Sequence, residues 1–499
     1  MKHNTVLFKT NITIVLLASQ MVQARDFGKQ PHIGDVFVIA LENHNFTQPD
    51  PTASPGEILG NPAAPFINSL ITPGSSNAVY VSYAIEYHNA GIGVHPSEPN
   101  YVWAESGSDF GFHSDADPNM ANGNKFYDNS TQLISSLNAN GSTEVFWHQN
   151  QTPHLAGQLS AAGIPWKNYQ EDVESSLSPT NSASGADGPL NPYNGTTQYN
   201  YAVKHNPMAF FNDSALENVY PLAQLFQDLS DNTVGRYNWI TPDQYNDGHS
   251  PLNDGFTYQG IHYAGDQSAV AASDNFLSEV LPRIMASRSY RENGVIILRW
   301  DETEGGDTAD YTIPEIVISH LAKGNAYASC VTFSHSSDLK TWEEVFGLPL
   351  VNNPIPMGET NYDGTFNNVA IANDLSDLFL PEIIPTISFS VTPGKFEIDG
   401  RTQNISQSVR VTNSGESLVS GPVWLVLDNL STNATLLNPD GTTAVLAPLG
   451  SPAVKINFGS FESRSFLPHQ TAVANLEFLN PSGDPITYAT RVLNVVPAP

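Results

Sequence analysis

The sequence predicts an α/β domain over residues 25–382 followed by an all-β domain over residues 383–499. In the first part, continuous apolar runs typical of buried parallel strands alternate with segments of helical periodicity, which favours a three-layer αβα architecture. The composition changes near residues 381–385. Beyond them, short runs of alternating polar and apolar residues are separated by turn signals such as Pro439-Asp440-Gly441. This pattern is typical of a β-sandwich of the immunoglobulin or fibronectin kind.

The strands predicted for the first domain end in polar residues. Residues 35–43 form an apolar run that ends in Glu42 and Asn43, and residues 294–302 form another that ends in Asp301 and Glu302. Because ligand sites in open α/β sheets lie at the carboxyl ends of strands, we expect these polar residues to meet. Further strands are predicted over residues 164–172, 236–240 and 315–319.

Helices are predicted between these strands. They cover residues 65–71, 155–162, 273–287 and 335–346. Gly163 and Gly347 follow two of them, as expected of glycine just past a helix end. Pro282 lies inside the third and predicts a kink there.

The charge of the chain argues against two classes of partner. Its 499 residues include 50 Asp and Glu against 20 Lys and Arg, a net charge of -30. Nucleic acids and anionic membranes attract Lys and Arg, so we expect neither as a partner.

Residues 1–24 have the pattern of a signal peptide. Lys2 and Lys9 supply positive charge, an apolar run follows, and small residues mark a cleavage site. No later run is long and apolar enough to predict a transmembrane segment. We therefore expect a secreted protein, periplasmic or extracellular. Cys330 is the only cysteine, which excludes an intrachain disulfide.

One serine stands where a helix is predicted to start. Ser97 lies between Pro96 and Pro99 within residues 95–108, and Pro99 suits the first helical position, where no N–H is needed. Ser97 would then lie at a helix N-terminus, which favours an anion, and it is a candidate nucleophile toward a phosphate ester. The alternative is a Ser-Pro turn.

The acidic strand ends predict a metal site. Two adjacent acids cannot both be buried without a proton or a cation, so a divalent metal is the natural partner of Glu42, Asn43, Asp301 and Glu302. The alternative for each pair is a solvated strand end. Further candidates lie after other strands or before the last helix: Asp247, His205, His249 and His335.

Seven segments, in this order, resemble the phosphoesterase family of acid phosphatases and phosphocholine-type phospholipases C, part of the alkaline-phosphatase-like superfamily. They are VFVIALENHNF, HPSEPNYVW, LSAAGIPWKNYQED, KHNPMAFF, ITPDQYNDGH, VIILRWDETEGG and HSSDLKTWEEVFGL. The resemblance spans residues 33–350 and implies an alkaline-phosphatase-like fold. HPSEPNY is more similar to the acid-phosphatase branch.

The resemblance also implies roles for individual residues. Ser97 stands at the nucleophile position, and His205 and His249 stand where histidines face the phosphate. Glu42, Asn43, Asp301 and Glu302 match metal ligands. His335 matches a superfamily metal-ligand position, and Asp247 would join it at a second metal. One or two divalent ions of open identity are therefore implied.

These observations predict a secreted, metal-dependent, acid phosphatase-like enzyme that hydrolyses phosphate monoesters through a phosphoserine intermediate. One alternative is a phospholipase C that cleaves phosphodiester head groups with the same site chemistry. Phospholipase-like members have Ser-Phe-Asp where this chain has Asn45-Phe46-Thr47. The other alternative is a non-catalytic surface or adhesive protein whose working part is the sandwich. We expect the sandwich to be an accessory domain.

Overall fold

The computed structural model describes most of the chain. The described residues are 32–48, 56–110, 115, 132–137, 143–148, 153–176, 178–180, 182–185, 190–211, 213–304, 311–353, 368–381, 383–384, 387–398, 404–415, 419–420, 422–443, 448, 450–458 and 465–494. The predicted signal peptide over residues 1–24 lies outside them. Among the described helices, none has the length and apolar character needed to cross a membrane.

Eight strands form a mixed sheet in the first domain. They are β1 (Val36–Leu41), β2 (Val81–Ala84), β3 (Trp166–Gln170), β4 (Val219–Pro221), β5 (Tyr237–Thr241), β6 (Val295–Trp300), β7 (Glu315–Ile318) and β8 (Tyr327–Ser329). Their order is β8-β2-β7-β6-β1-β5-β3-β4. Strand β7 runs antiparallel to both neighbours, and the other pairs are parallel. The predicted α/β class is confirmed.

The register of the central strands positions the polar strand ends. Every residue of β1 and β6 is buried, as expected of strands covered on both faces. Leu41 of β1 pairs with Trp300 of β6, and the backbone N–H of Asp301 donates to the carbonyl of Leu41 over 3.1 Å. Glu42 and Asp301 therefore leave the sheet side by side.

Seven α-helices accompany the sheet in the described part of the chain. They are α1 (Pro65–Leu70), α2 (Ser97–Ser106), α3 (Leu155–Ala162), α4 (Leu222–Asp231), α5 (Asp266–Met285), α6 (Arg288–Arg291) and α7 (His335–Phe346). Helix α1 packs against α5, whereas α2, α3 and α7 pack against one another.

Helix α5 begins seven residues before the predicted position 273. Residues 268–274 are all buried, so this segment has no solvent-exposed face and its sequence lacks the pattern of an amphipathic helix. Pro282 lies in the last turns of the helix.

Short paired strands complete the first domain. They are Tyr87–His88 with Phe333–Ser334, Gln132–Leu137 with Thr143–His148, Ala183–Gly185 with Tyr199–Tyr201, and Phe256–Tyr258 with Ile261–Tyr263.

The C-terminal part is all-β, as predicted. One antiparallel sheet contains Phe389–Ile398, Ile405–Asn413, Thr471–Leu479 and Thr435–Leu436, and another contains Gly441–Thr442, Pro452–Lys455, Trp424–Asp428 and Ala489–Leu493. A short pair, Val419–Ser420 with Ser465–Phe466, lies beside them. Their buried apolar side chains form a hydrophobic cluster separate from that of the first domain. The immunoglobulin or fibronectin identity stays a prediction.

Candidate active site

The ends of β1 and β6 bring two pairs of polar residues together. The backbone N–H of Asn43 donates to Asp301 Oδ1 over 3.0 Å, and its side-chain amide donates to Glu302 Oε1 over 3.1 Å. Asn43 has φ +28°, a backbone conformation that asparagine tolerates better than most residues. These bonds hold Glu42, whose side chain is fully buried, beside both acids.

Ser97 is the first residue of α2 and lies against this cluster. Its hydroxyl donates to Glu42 Oε2 over 2.9 Å and lies 3.3 Å from Glu302 Oε1 and 3.4 Å from Asn43 Oδ1. Pro99 is the third helical residue and not the first, because Pro96 is the N-cap. The third position also tolerates proline, since the first four N–H groups of a helix have no partner within it.

A carboxylate of the chain lies at the N-terminus of α2. The backbone N–H of Glu98 donates to Asp115 Oδ1 over 3.1 Å, and Lys204 Nζ donates to Asp115 Oδ2, also over 3.1 Å. Helix N-termini favour negative charge, so this pairing follows from the helix dipole. The same features, a helix N-terminus and a lysine, suit a phosphate.

His205 and His249 approach Glu42 from the side of β5. His205 Nε2 lies 3.0 Å from Glu42 Oε1, and its Nδ1 lies 3.5 Å from Asp247 Oδ2. His249 Nδ1 lies 3.4 Å from Glu42 Oε2, and about a third of its side chain is exposed. The ring of Tyr101 stacks on His205, with centroids 5.0 Å apart. Of these two histidines, His249 is therefore the more accessible to solvent.

His335 is not brought to the carboxylate cluster. Its Nε2 lies 2.6 Å from the backbone carbonyl of Asp301, and its Nδ1 contacts Arg299 and the Tyr87 hydroxyl. Burial and the positive charge of Arg299 hold the pKa of His335 well below its ordinary value. With both ring nitrogens turned to these partners, we leave His335 out of the ligand set proposed below.

Burial and mutual repulsion shape the acidity of the carboxyl groups. Burial and the charges of Glu42 and Glu302 raise the pKa of Asp301 well above its ordinary value. Burial and the charge of Glu42 do the same for Asp247. Burial would also raise the pKa of Glu42, but the neighbouring His205, His249 and Lys204 hold it well below its ordinary value.

The pKa values of His205 and His249 shift in opposite directions. Burial lowers the pKa of His205, although the charge of Glu42 opposes the shift. Burial also disfavours the charged form of His249, but its contact with Glu42 outweighs burial and raises the pKa to about 9. At neutral and acid pH, His249 therefore carries a proton that it can donate.

The carboxylate cluster fits a divalent cation. Asp301 Oδ2 and Asp247 Oδ2 are buried and have no hydrogen-bond partner among the residues that the structure describes. Unpaired buried carboxylate oxygens are costly unless a proton or cation satisfies them. Ligand atoms of Glu42, His205 and Asp247 also lie within 4.8 Å of one another, a spacing that a metal ion can bridge.

Two contributors to the site were not predicted from the sequence. The His95 ring contacts Glu302 Oε2, and Asn100 Nδ2 donates to the same oxygen over 3.3 Å. Asn100 also donates to the carbonyl of Val94 over 2.9 Å, which ties the loop before Ser97 to its helix. Both residues flank Ser97 in HPSEPNY, and this closeness in sequence could have indicated that they belong to the site.

The chain is similar to a known protein family. A family model described as the Phosphoesterase family matches residues 82–349, more than half of the chain. The chain belongs to the phosphoesterase family. It is a hydrolase acting on phosphoric esters.

Individual members of the family are distant in sequence. A phosphatidylinositol-3-phosphatase of Mycobacterium tuberculosis is 24% identical over 319 residues, 64% of this chain and 79% of that protein. A phosphate-repressible acid phosphatase of Penicillium chrysogenum is 24% identical over 266 residues, and the match spans 51% of this chain and 50% of that protein. The chain thus spans only about half the length of the fungal relative.

Among solved structures, this phosphoesterase is similar to a protein in the alkaline phosphatase superfamily from Vibrio parahaemolyticus. The TM-score is 0.38 at 11% sequence identity, over 79% of this chain and 81% of that chain. A similarity of this size assigns neither a function nor a site.

Proposed function

We propose that this phosphoesterase is a metal-dependent, acid phosphatase-like enzyme that hydrolyses phosphate monoesters through a phosphoserine on Ser97. The observation that carries the proposal is the contact of the Ser97 hydroxyl with Glu42 Oε2 at 2.9 Å, at the N-terminus of α2. A free serine hydroxyl is a weak nucleophile and requires a neighbouring base or metal. The phosphatase names of the two curated relatives support the substrate class.

The proposed ligands of a first divalent cation are Glu42, Asn43, Asp301 and Glu302. Asp247 and His205 face the same cluster and offer ligands for a second ion. When bound, such a cation would offset the carboxylate charges, favour the ionised form of the serine hydroxyl and polarise the phosphoryl oxygens.

In the first half-reaction, Ser97 Oγ attacks phosphorus while the bond to the leaving oxygen breaks. The serine hydroxyl loses its proton to water along the hydrogen bond that it donates to Glu42 Oε2. His249 donates a proton to the leaving oxygen, since its raised pKa keeps it protonated. Lys204, beside the helix N-terminus, holds a nonbridging oxygen through its charge.

In the second half-reaction, water attacks the phosphoserine. His249, deprotonated by the first step, accepts a proton from that water. Ser97 Oγ leaves phosphorus and takes up a proton from water, which regenerates the starting state. His205 is buried under Tyr101 and positions Glu42 at 3.0 Å, in keeping with its lowered pKa.

The test of the proposed function compares ester classes. We expect phosphate release from p-nitrophenyl phosphate with added Mn²⁺ or Zn²⁺, and little product from bis(p-nitrophenyl) phosphate or phosphatidylcholine. The reverse preference, with phosphocholine as product, would replace the proposal by a phospholipase C. Inactivity toward all three, with metal bound and the fold intact, would favour the non-catalytic alternative.

We also propose that the chain is exported and divided as its sequence predicts, into a signal peptide over residues 1–24, a catalytic domain over 25–382 and a β-sandwich over 383–499. The first hydrophobic cluster extends to Ile384 and the second begins at Ile387, which supports a division two residues or more after the second boundary. Mass spectrometry of the N-terminus of protein recovered from the culture medium tests the first. Detection of an intact Met1 there would refute cleavage.

A further inference from the structure

A second cluster of metal-ligating side chains lies beside the candidate active site and takes no part in the proposed reaction. His44 follows Glu42 and Asn43, Glu304 lies two residues after Glu302, and Asp266 is the first residue of α5. One imidazole nitrogen and two carboxylate oxygens of these three residues lie within 4.8 Å of one another. Three separate segments of the chain therefore converge on one point.

The tautomer of His44 is fixed by its own neighbour. Its Nδ1 lies 3.2 Å from the backbone carbonyl of Glu42, which can only accept a hydrogen bond. Nδ1 therefore carries the hydrogen, and in the neutral ring Nε2 is left with its lone pair. A histidine held in this way by a carbonyl is the arrangement in which imidazole binds metals.

His44 Nε2 is aimed into the cluster. The side chain is 1% exposed, and Nε2 has no hydrogen-bond partner within the described ranges. Asp266 Oδ1 lies 3.5 Å from it. A lone pair facing a carboxylate oxygen is repulsive, so either a proton or a cation must lie between the two.

The acids are held in place by backbone contacts. The N–H of Glu304 donates to Asn45 Oδ1 over 3.1 Å, and Asp266 is fixed at the start of the 20-residue helix α5. Asp266 Oδ2 accepts a longer bond of 3.4 Å from the Gln267 amide. Both carboxylates lie close to the same imidazole nitrogen, and a divalent cation is the group that all three ligand atoms could contact together.

We propose that His44 Nε2, Asp266 and Glu304 bind one divalent transition-metal ion of the Zn²⁺ or Mn²⁺ class, separate from the reaction centre. An imidazole with two carboxylates suits these ions, whereas Ca²⁺ and Mg²⁺ prefer oxygen ligands alone. Asp266 and Glu304 are partly exposed, so the ion can enter from solvent and keep bound water. The ion ties the segments after β1 and β6 to α5.

The experiment measures Zn²⁺ binding to chelator-stripped full-length chain by equilibrium dialysis and calorimetry. The test variant is Asp266→Asn with Glu304→Gln. Its matched control is Asp231→Asn with Glu217→Gln, which makes the same charge change at two exposed positions. We expect the test variant to bind one Zn²⁺ fewer per chain than the wild type and the control.

A second variant keeps the test decisive if the double variant folds poorly. His44→Gln removes the nitrogen ligand and leaves both acids, and we expect it also to lose one Zn²⁺ per chain. Unchanged zinc stoichiometry in the folded variants would overturn the proposal and identify a proton as the occupant. The readout is zinc content and not phosphatase activity, so it stands apart from the proposed function.

Discussion

The Ser97 hydroxyl donates to Glu42 Oε2 over 2.9 Å, although 55 positions separate the two residues in the chain. The contact exists because β1 ends at Leu41 and α2 begins at Ser97, so a strand end faces a helix start. Glu42 is fully buried, and its pKa is held well below the ordinary value by its neighbours His205, His249 and Lys204. The Ser97 hydroxyl thus donates its hydrogen bond to an ionised carboxylate.

Replacement of Ser97 by alanine is expected to abolish turnover. Without the hydroxyl no phosphoserine can form, and we expect kcat for p-nitrophenyl phosphate to fall by about 10⁴-fold or more. The matched control is Ser106→Ala at the other end of α2, which removes a buried hydroxyl bonded to the carbonyls of Val102 and Ser108. The control should lose about 1 kcal/mol of stability and keep its activity. Activity of Ser97→Ala equal to that of the control would reject the nucleophile.

His249→Asn is expected to affect substrates according to their leaving groups. A poor leaving group such as glycerol oxygen requires protonation as the bond breaks, whereas p-nitrophenolate does not. We expect kcat to fall about 10²- to 10³-fold for glycerol phosphate and less than tenfold for p-nitrophenyl phosphate. Steady-state kinetics on both esters measures the difference. An equal loss on both substrates would mean that His249 binds phosphate and donates no proton.

Asp301→Asn is expected to stabilise the metal-free protein while lowering activity. Burial and the charges of Glu42 and Glu302 raise the pKa of Asp301, so the ionised form costs stability in the absence of a cation. The amide oxygen can still accept the Asn43 N–H. We expect the free energy of unfolding to rise by about 1–3 kcal/mol at pH 8 and activity to fall at least about 10²-fold.

The sign of the pH dependence provides a control on this prediction. A carboxyl group with a raised pKa binds more protons in the folded than in the unfolded state, so the contribution of Asp301 to the stability of the metal-free wild type falls as pH rises above about 4. The advantage of Asp301→Asn in urea unfolding should therefore grow with pH and shrink when Mn²⁺ is added. The exposed Asp231→Asn should show neither trend. A metal-free Asp301→Asn protein less stable than the wild type at pH 8 would contradict the account.

The convergence of Glu42 with Asp301 was predictable, because two fully apolar runs ending in acids are typical of neighbouring buried strands. The position of His335 was not. Its place just before a helix resembles that of a metal ligand, but Arg299 of β6 meets its ring, and a contact between distant elements leaves no local pattern. The early start of α5 could not be predicted from the sequence for another reason. A segment that is buried on all sides lacks the alternation of polar and apolar residues by which helices are recognised.

The buried histidine His154, which contacts Glu105 near the C-terminal end of α2, is expected to make stability depend on pH. Its Nδ1 lies 2.8 Å from Glu105 and its Nε2 lies 2.9 Å from Asp213, and these carboxylates outweigh burial and raise its pKa to about 9. A raised histidine pKa contributes stability that is complete below pH 6.5 and is lost between pH 6.5 and 9, here about 3 kcal/mol. We expect His154→Gln to lower the free energy of unfolding by this amount at pH 6 and much less at pH 9, whereas the exposed His262→Gln changes little at either pH. Urea unfolding across this range measures the difference, and a destabilisation independent of pH would show that His154 is neutral in the folded protein.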